Sequence, residues 1–438
     1  MLLQLLFVLL AIIIGARLGG IGLGVMGGAG LAILTFGFGL MPTSPPIDVM
    51  LMIAAVISAV ASMQAAGGLD YMVGVAERFL RKHPAQITIF APFVCYIFTF
   101  LAGTGHVAYS LLPVIAEVAK ETKVRPERPL GISVIASQQA ITASPISAAT
   151  VALLSLLAGF NITLFDILKI SIPATLIGVL VGALSSMKVG KELVDDPEYQ
   201  RRLKEGLVSE SSLPKDGEAV TFGWKPKFSV IVFLLATVLI VLFGSISSLK
   251  PTFNIDGETI AMGMPAIIEI LMLTAAALIL LVTKTDGIKA ARGNVFVAGM
   301  QAVIAIFGIA WMGDTFIQGN LDVFITTLQE MVQSMPWLFG VALFVMSILL
   351  FSQAATVRAI MPLGIALGLS PMYLIALFPA VNGYFFIPNY PTVVAAINFD
   401  STGTTRIGKY VLNHSFMIPG IVATMTAIVM GMLMIQIF

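Results

Sequence analysis

Long apolar runs are the feature that most limits what this chain can fold into. Of its 438 residues, 58% are hydrophobic and 11% are charged, whereas a soluble protein carries about 25% charged residues. A helix needs about 20 consecutive apolar residues to cross the bilayer core, and many runs in the chain approach or reach that length. The sequence therefore predicts an all-α polytopic membrane protein that is surrounded by the lipid bilayer.

Charge and residue types exclude several function classes. The 24 Lys and Arg residues nearly balance the 23 Asp and Glu residues, so the formal net charge is +1 and no nucleic-acid partner is predicted. The single cysteine, Cys95, lies in an apolar run, which excludes a disulfide scaffold and a thiolate metal site. We predict no metal site and no cofactor.

The distribution of basic residues predicts the topology. Residues 188–227 form the only long polar segment and contain eight Lys and Arg residues, so the positive-inside rule places this segment in the cytoplasm as a linker. It separates residues 1–187 from residues 228–438. The other basic clusters are expected inside as well, at Arg17, 78–82, 120–128, 284–292 and 406–409. The remaining connections contain few cations and are expected outside, at 40–47, 161–164, 247–261 and 313–336.

Several apolar segments are too short for simple spans and lie beside small polar residues. Such segments are typical of re-entrant hairpins and broken helices, which membranes tolerate where protein or water covers the freed backbone. We predict a hairpin over 86–119 and a broken helix over 130–160, then a hairpin over 337–369 and a broken helix over 371–399.

With these assignments each half crosses the membrane five times, which gives about ten spans with both termini in the periplasm. The order of features repeats between the halves while their orientation inverts. Residues 1–187 and 228–438 are therefore predicted to form two inverted repeats, an arrangement with which many secondary transporters build a site at the bilayer midplane.

Four interruptions, at 102–106, 142–147, 352–356 and 388–392, are predicted to converge on one substrate site. Broken helices expose unpaired backbone N–H groups, and the partial positive charge at a helix N-terminus suits a carboxylate. The alternative is that their Ser and Thr hydroxyls bond back to the preceding helical turn. The predicted substrate-binding residues are Gly103, Thr104, Gly105, His106, Thr142, Ser144, Pro145, Ser147, Ser352, Gln353, Thr356, Arg358, Asn389, Tyr390 and Thr392.

Four ionisable residues near these segments have two interpretations each. Arg358 lies well inside an apolar segment, so it is predicted either to hold a substrate carboxylate through its planar fork or to pair with an acid on another helix. His106 either places a charge near an anion or caps a helix. Asp48 and Asp314 lie at span ends and either bind a coupling proton or cation or cap those spans.

A four-residue glycine repeat marks the second span. Gly20, Gly24 and Gly28 lie on one helical face, and small residues at this spacing let two helices approach closely. We interpret the repeat as a packing signal.

Short motifs along the whole chain carry a resemblance to a known family. They are GARLGG at 15–20, GGLDY at 67–71, AGTGH at 102–106, RPERP at 125–129, ITASPISAA at 141–149, DDPEY at 195–199, SQAA at 352–355, NYPT at 389–392, DSTGTT at 400–405 and NHSF at 413–416. With these motifs the sequence resembles the anaerobic C4-dicarboxylate transporters of the Dcu family, closest to the DcuA branch.

The resemblance implies a bacterial inner-membrane carrier for aspartate, fumarate, malate and succinate, commonly an antiporter in anaerobic respiration with fumarate. It also implies elevator movement of a hairpin-bearing transport domain against the scaffold of a homodimer. We expect 86–160 and 337–400 to move, and 2–67, 165–187, 228–311 and 411–438 to form the scaffold. The preferred dicarboxylate, the coupling ion and the stoichiometry stay open.

The alternative function is a polytopic membrane enzyme, such as an acyltransferase or an intramembrane hydrolase. Such an enzyme needs a nucleophile beside a base, or a metal site, at one membrane depth. His106 and His414 have no acidic residue three or four positions later. The sequence therefore favours the transporter.

Overall fold

The computed structural model describes residues 1–18, 20–208, 222–255, 258–323, 332, 334–350, 352–388, 390–410 and 412–437. The predicted site residue Asn389 and residues 209–221 of the linker lie outside these ranges. Most of the described residues are helical. They also include a two-stranded antiparallel sheet of β1 (Thr252–Ile255) and β2 (Glu258–Ala261).

The first half and the linker contain ten α-helices in the described residues. They are α1 (Leu2–Leu18), α2 (Gly22–Ala32, continued by a π-helical turn over Ile33–Gly37), α3 (Ile47–Ala65), α4 (Gly68–Lys82), α5 (Ile87–Ala102), α6 (Ala108–Glu121), α7 (Glu127–Ile141), α8 (Ala148–Leu157), α9 (Leu164–Ser186) and α10 (Pro197–Lys204).

The second half follows the same order of long helices and short paired helices. Its described α-helices are α11 (Trp224–Ser245), α12 (Met264–Thr283), α13 (Gly287–Ala291), α14 (Asn294–Gln318), α15 (Trp337–Leu350), α16 (Gln353–Ala366), α17 (Pro371–Leu377, followed by a 3-10 helix over Phe378–Phe385), α18 (Pro391–Phe399) and α19 (Met417–Ile437). Shorter 3-10 turns lie at Pro84–Gln86, Gly105–Val107, Ala158–Phe160, Leu193–Asp195 and Ser247–Leu249.

Seven of the described helices are long and apolar enough to cross a membrane. Four shorter apolar helices, at Leu2–Gly15, Gly22–Gly37, Ala148–Phe160 and Trp337–Leu350, accompany them. The chain is thus an all-α polytopic membrane protein, while the figure of ten spans stays a prediction.

Local chemistry explains why the short helices end where they do. Gly103 ends α5 with a φ of 69°, a left-handed conformation that glycine adopts without steric cost. Ser147 and Ser352 are the N-caps of α8 and α16, because their hydroxyls accept backbone hydrogen bonds from Thr150 and Ala355. Pro391 occupies the first turn of α18, where its missing N–H leaves no bond unmade.

Helix packing divides the described residues into two groups. In one, α2 packs against α1 and α14, and α3 packs against α12 and α14. In the other, α7 packs against α5 and α9, and α19 packs against α9, α17 and the 3-10 helix that follows α17. The second hairpin connects the groups, because α16 contacts α14 of the first group and the 3-10 helix of the second.

This packing corrects the expected grouping of 165–187 and 411–438 with the scaffold. Helices α9 and α19 pack most extensively on each other and on the broken helices. Small residues allow this contact, since a Cβ atom on Gly182 would lie 3.0 Å from the Cβ of Ala423. Hydropathy identifies both spans but carries no information about which helix each one meets.

A polar cluster joins the linker to both halves of the chain. Arg125, at the start of α7, places Nη1 2.5 Å from Oδ2 of Asp196 in the linker. Arg202 of α10 donates to the carbonyl of Ser401 at 3.2 Å, and Ser415 donates to the carboxylate of Glu127 at 2.7 Å. The linker therefore holds the beginning of α7 and the 400–415 loop together.

Candidate functional site

A cavity of about 400 Å³ lies where the tips of both hairpins meet the broken helices. Its volume falls within the range of about 300 to 1,000 Å³ that small-molecule sites occupy. The first hairpin contributes Gly103, Thr104 and Gly105, and the second contributes Ser352, Gln353 and Ala354. The rest of the wall comes from α1, α2, α7, α8, α14 and the start of α18, through Gly15, Gly20, Leu23, Ile141, Ala148, Ala149, Ala298, Gln301, Ala302, Ala305, Tyr390 and Pro391.

Three helices begin at this cavity, namely α8 at Ala148, α16 at Gln353 and α18 at Pro391. Backbone N–H groups in the first turn of a helix have no intrahelical partner, and the helix dipole adds partial positive charge there. None of the described lining residues has a charged side chain. The cavity is therefore suited to an anion, held by helix ends and neutral polar groups.

A network of three buried amide side chains lies beside the cavity. Nε2 of Gln353 donates to Oε1 of Gln138 at 2.7 Å and to Oδ1 of Asn382 at 3.3 Å. Asn382 lies at a non-helical position inside the 3-10 helix, with φ of −99° and ψ of 29°. The network thus ties the second hairpin to both broken helices.

Six of the fifteen predicted substrate-binding residues line the cavity, and the hydroxyl groups of four others bond to backbone carbonyls. Those at the cavity are Gly103, Thr104, Gly105, Ser352, Gln353 and Tyr390. The hydroxyl groups of Thr142, Ser147 and Thr356 donate to backbone carbonyls in or next to their own break. The hydroxyl group of Ser144 donates to the carbonyl of Phe100 in the first hairpin at 2.7 Å. The geometry matches the back-bonding alternative at Thr142 and Thr356, which bond to carbonyls three and four residues earlier. Ser144 and Ser147 bond to carbonyls farther away than the preceding helical turn.

Four other residues predicted to bind substrate are Pro145, Thr392, His106 and Asn389. Pro145 is buried within the first break. Oγ1 of Thr392 is buried and has no hydrogen-bond partner in the described part of the chain. The backbone of His106 lies in the 3-10 turn Gly105–Val107, and Asn389 falls outside the described residues. Substrate contact by these four residues stays a prediction.

Arg358 faces an acid and is not among the residues that line the cavity. Its Nη2 atom lies 3.7 Å from Oδ2 of Asp314 on α14, and its Nε atom is buried without a hydrogen-bond partner among the described residues. This geometry matches the alternative in which Arg358 pairs with an acid on another helix. A direct contact between Arg358 and substrate stays a prediction.

Sequence reasoning missed Gln138, Gln301 and Asn382. Gln301 lines the cavity from α14, whereas Gln138 and Asn382 support Gln353. Each is an amide inside or beside an apolar run. A search for uncharged polar residues within the predicted spans, in addition to those at the breaks, would have found all three.

Comparison with known proteins decides the family. A family model described as anaerobic C4-dicarboxylate membrane transporter matches residues 1–438. The chain belongs to this family. The transporter is 46% identical to the C4-dicarboxylate transporter DcuA of Escherichia coli (strain K12) over 429 residues, which are 98% of this chain and 97% of that protein. It is 41% identical to the anaerobic C4-dicarboxylate transporter DcuB of Escherichia coli O157:H7 over 438 residues, with the same coverage.

Two further comparisons concern another organism and a solved structure. The transporter is 43% identical to DcuA of Wolinella succinogenes over 430 residues, with 98% of this chain and 97% of that protein covered. A structure of MtrF from Neisseria gonorrhoeae, described within a class of antimetabolite efflux pumps, matches with a TM-score of 0.52 and 12% identity, over 92% of this chain and 84% of that chain. The similarity to MtrF shows the fold alone.

These relatives confirm the resemblance read from the motifs. The chain is a multi-pass membrane transporter of a C4-dicarboxylate family, and the alternative of a polytopic membrane enzyme is wrong.

Proposed function

We propose that this transporter exchanges C4-dicarboxylates, namely aspartate, fumarate, malate and succinate, across the bacterial inner membrane, and that the 400 Å³ cavity is its substrate site. One observation carries the proposal: three helix N-termini from both halves of the chain meet at a cavity whose described lining residues carry no charged side chain. A small dianion needs two separated groups of donors, and helix ends from both halves of the chain supply donors to this cavity.

The two halves of the chain act as inverted repeats in this proposal, with boundaries at 1–187 and 228–438. The common order of long helices, hairpin and broken helix supports it. Contacts between loops support the proposed topology, since Arg81 pairs with Glu121 at 2.9 Å between two loops expected inside. The backbone N–H of Thr43 donates to Oγ1 of Thr315 at 3.2 Å between two segments expected outside. The linker then lies in the cytoplasm and both termini lie in the periplasm.

Transport proceeds by an elevator movement in this proposal. The moving body contains the hairpins, the broken helices, α9 and α19, and the scaffold contains α1 to α3, α11, α12 and α14. The packing of α9 and α19 on the broken helices supports this assignment. The scaffold pairs with a second copy to form the homodimer.

Counterflow in proteoliposomes tests the exchange. Vesicles loaded with succinate should take up labelled aspartate or fumarate several-fold faster than empty vesicles or vesicles loaded with acetate, because only a bound dicarboxylate returns the carrier to the outer face. Varying sodium and pH gradients separately identifies the coupling ion. Equal uptake into all three kinds of vesicle would exclude exchange.

A further inference from the structure

The amide network leaves one atom of Gln353 available to a ligand. Gln353 is the first residue of α16 and lines the cavity, and its side chain is 7% exposed. Both N–H groups of its amide are directed at acceptors, Oε1 of Gln138 and Oδ1 of Asn382. Within the described part of the chain, its own Oε1 atom receives no hydrogen bond, so a carbonyl acceptor remains for the cavity.

Two supporting contacts hold that acceptor in place. Gln138 and Asn382 are each 1% exposed, and a Cβ atom on Gly105 would lie 2.5 Å from Nε2 of Gln138. The first hairpin therefore packs against the amide that supports Gln353. A buried amide with both N–H groups bonded has little freedom to turn and present a donor.

An acceptor at this position can bond to a polar group of the substrate other than its carboxylates. The carboxylate of a bound dicarboxylate suits the free N–H groups at the start of α16, where Gln353 is the first residue. If the C1 carboxylate binds there, the adjacent carbon, C2, is the part of the substrate closest to the side chain of Gln353. Succinate and fumarate carry only C–H groups at C2, whereas aspartate carries an ammonium group and malate a hydroxyl group, and both of these donate hydrogen bonds.

We infer that Oε1 of Gln353 accepts a hydrogen bond from the C2 substituent of the substrate and makes this residue a specificity determinant for C2-substituted dicarboxylates. The inference rests on the proposed function of the cavity. Gln138 and Asn382 are positioning residues, because they act through Gln353. A site built to bond a polar group discriminates against an analogue that lacks it, since the buried acceptor is then left unpaired.

The experiment measures competition in counterflow. Unlabelled aspartate, malate and succinate compete with labelled succinate in proteoliposomes of the parent and of Gln353→Met, which keeps the length of the side chain and removes its polar atoms. The half-inhibitory concentrations of aspartate and malate should rise about tenfold in the variant, as for loss of a hydrogen bond to a charged or polar group worth about 1.4 kcal/mol. That of succinate should stay within about twofold of the parent value, which is below the loss of one such bond.

Two further variants make the comparison specific. Gln139→Met removes a buried amide that bonds to Thr424 and is not among the residues lining the cavity, so it should leave the half-inhibitory concentration of aspartate relative to that of succinate unchanged. Gln138→Met removes one acceptor of Gln353, so it should raise the half-inhibitory concentration of aspartate relative to that of succinate, but by less than Gln353→Met does. If Gln353→Met does not fold, Gln353→Ala and Gln138→Met provide the test, with thermal unfolding in detergent reporting the fold.

The outcomes separate the inference from the proposed function. A parent protein that exchanges no dicarboxylate would remove the proposed function itself. A parent that exchanges dicarboxylates, with variants that weaken all three competitors equally or none of them, would overturn the role of Gln353. A selective gain for aspartate would also overturn it, because it would mean that Gln353 presents its N–H groups to the cavity.

Discussion

Arg358 and Asp314 face each other where α16 meets α14, with 12% and 16% of their side chains exposed. The two side chains neutralise each other, since an unpaired charge that is buried to this extent lowers the stability of the protein. The pair also joins the second hairpin to the first packing group, because α16 belongs to the hairpin and α14 to that group. The position of Asp314 thus favours a structural role for Arg358.

Arg358→Ala should therefore lower the stability of the purified protein by about 3 kcal/mol, as expected when one partner of a buried ion pair is removed. Arg358→Leu combined with Asp314→Leu should recover part of that loss, because neither charge is then left alone. Thermal unfolding in detergent, with and without succinate, measures both effects. Normal stability with dicarboxylate binding weakened by about 2 to 5 kcal/mol would instead place Arg358 at the substrate.

His414 is held as the neutral imidazole. Its Nδ1 atom accepts a hydrogen bond from the backbone N–H of Phe416 at 3.2 Å, and its Nε2 atom donates to the carbonyl of Phe386 at 3.3 Å. Burial lowers the pKa of His414 below its ordinary value, although the bond to Phe386 opposes this effect. Glu127, Arg406 and Lys409 line the same polar pocket.

Stability should consequently fall as the pH drops below about 6.5, the ordinary histidine value. In that range the unfolded chain binds a proton that the folded chain does not, so acid favours unfolding. The loss in melting temperature between pH 7.5 and pH 5.5 should be smaller for His414→Gln, which keeps a donor and an acceptor but does not titrate. An identical loss in parent and variant would show that His414 does not contribute.

At the scale of the helix, α2 and α14 cross at glycines with almost no space between their backbones. A Cβ atom on Gly24 would lie 2.1 Å from the carbonyl oxygen of Ile304, and one on Gly308 would lie 1.8 Å from that of Gly24. Gly28 has no atom within 4 Å of such a Cβ. Of the residues in the glycine repeat, Gly24 therefore lies at the crossing, whereas the position of Gly28 does not require glycine.

Gly24→Ala should destabilise the protein by about 1 to 3 kcal/mol, because the new methyl group forces two backbones apart. Gly28→Ala should be neutral or stabilise α2 by up to about 1 kcal/mol, since alanine is the better helix former. Melting temperatures of the two single variants form a matched comparison. Equal effects of the two substitutions would contradict the crossing.

At the scale of the whole molecule, the proposed elevator requires the hairpin body to move past the scaffold. A Cβ atom on Gly313 of α14 would lie 3.4 Å from the Cβ of Ala359 on α16, close to the separation of about 3.8 Å found in disulfides. A disulfide at these positions would join the two bodies covalently. The chain has a single cysteine, Cys95, so the background is simple to prepare with Cys95→Ala.

Oxidised Gly313→Cys/Ala359→Cys should lose exchange, bind dicarboxylate normally and recover exchange on reduction. The control pair, Gly182→Cys/Ala423→Cys, joins α9 to α19 within the moving body and should leave exchange intact. Counterflow before and after reduction measures both. Undiminished exchange in the fully crosslinked first variant would rule out movement between these bodies.

The class of protein, the family and the positions of the helix breaks could be predicted from the order of residues along the chain. Membrane spans follow from hydropathy, and breaks follow from local chemistry such as the left-handed Gly103 and the caps Ser147 and Ser352. These features depend on residues that are neighbours along the chain, so a pattern in the sequence is sufficient to find them. The family followed from motifs and was confirmed over the whole chain.

The contacts between groups far apart in the chain could be seen in the folded protein alone. The tertiary structure places α9 against α19, Arg358 against Asp314, and Gln353 between Gln138 and Asn382. The partner of a polar side chain depends on distances of a few ångströms between segments far apart in the chain, and hydropathy is the same for many such pairings. The candidate site could therefore be placed at the breaks from sequence, whereas the atoms that face its cavity could not.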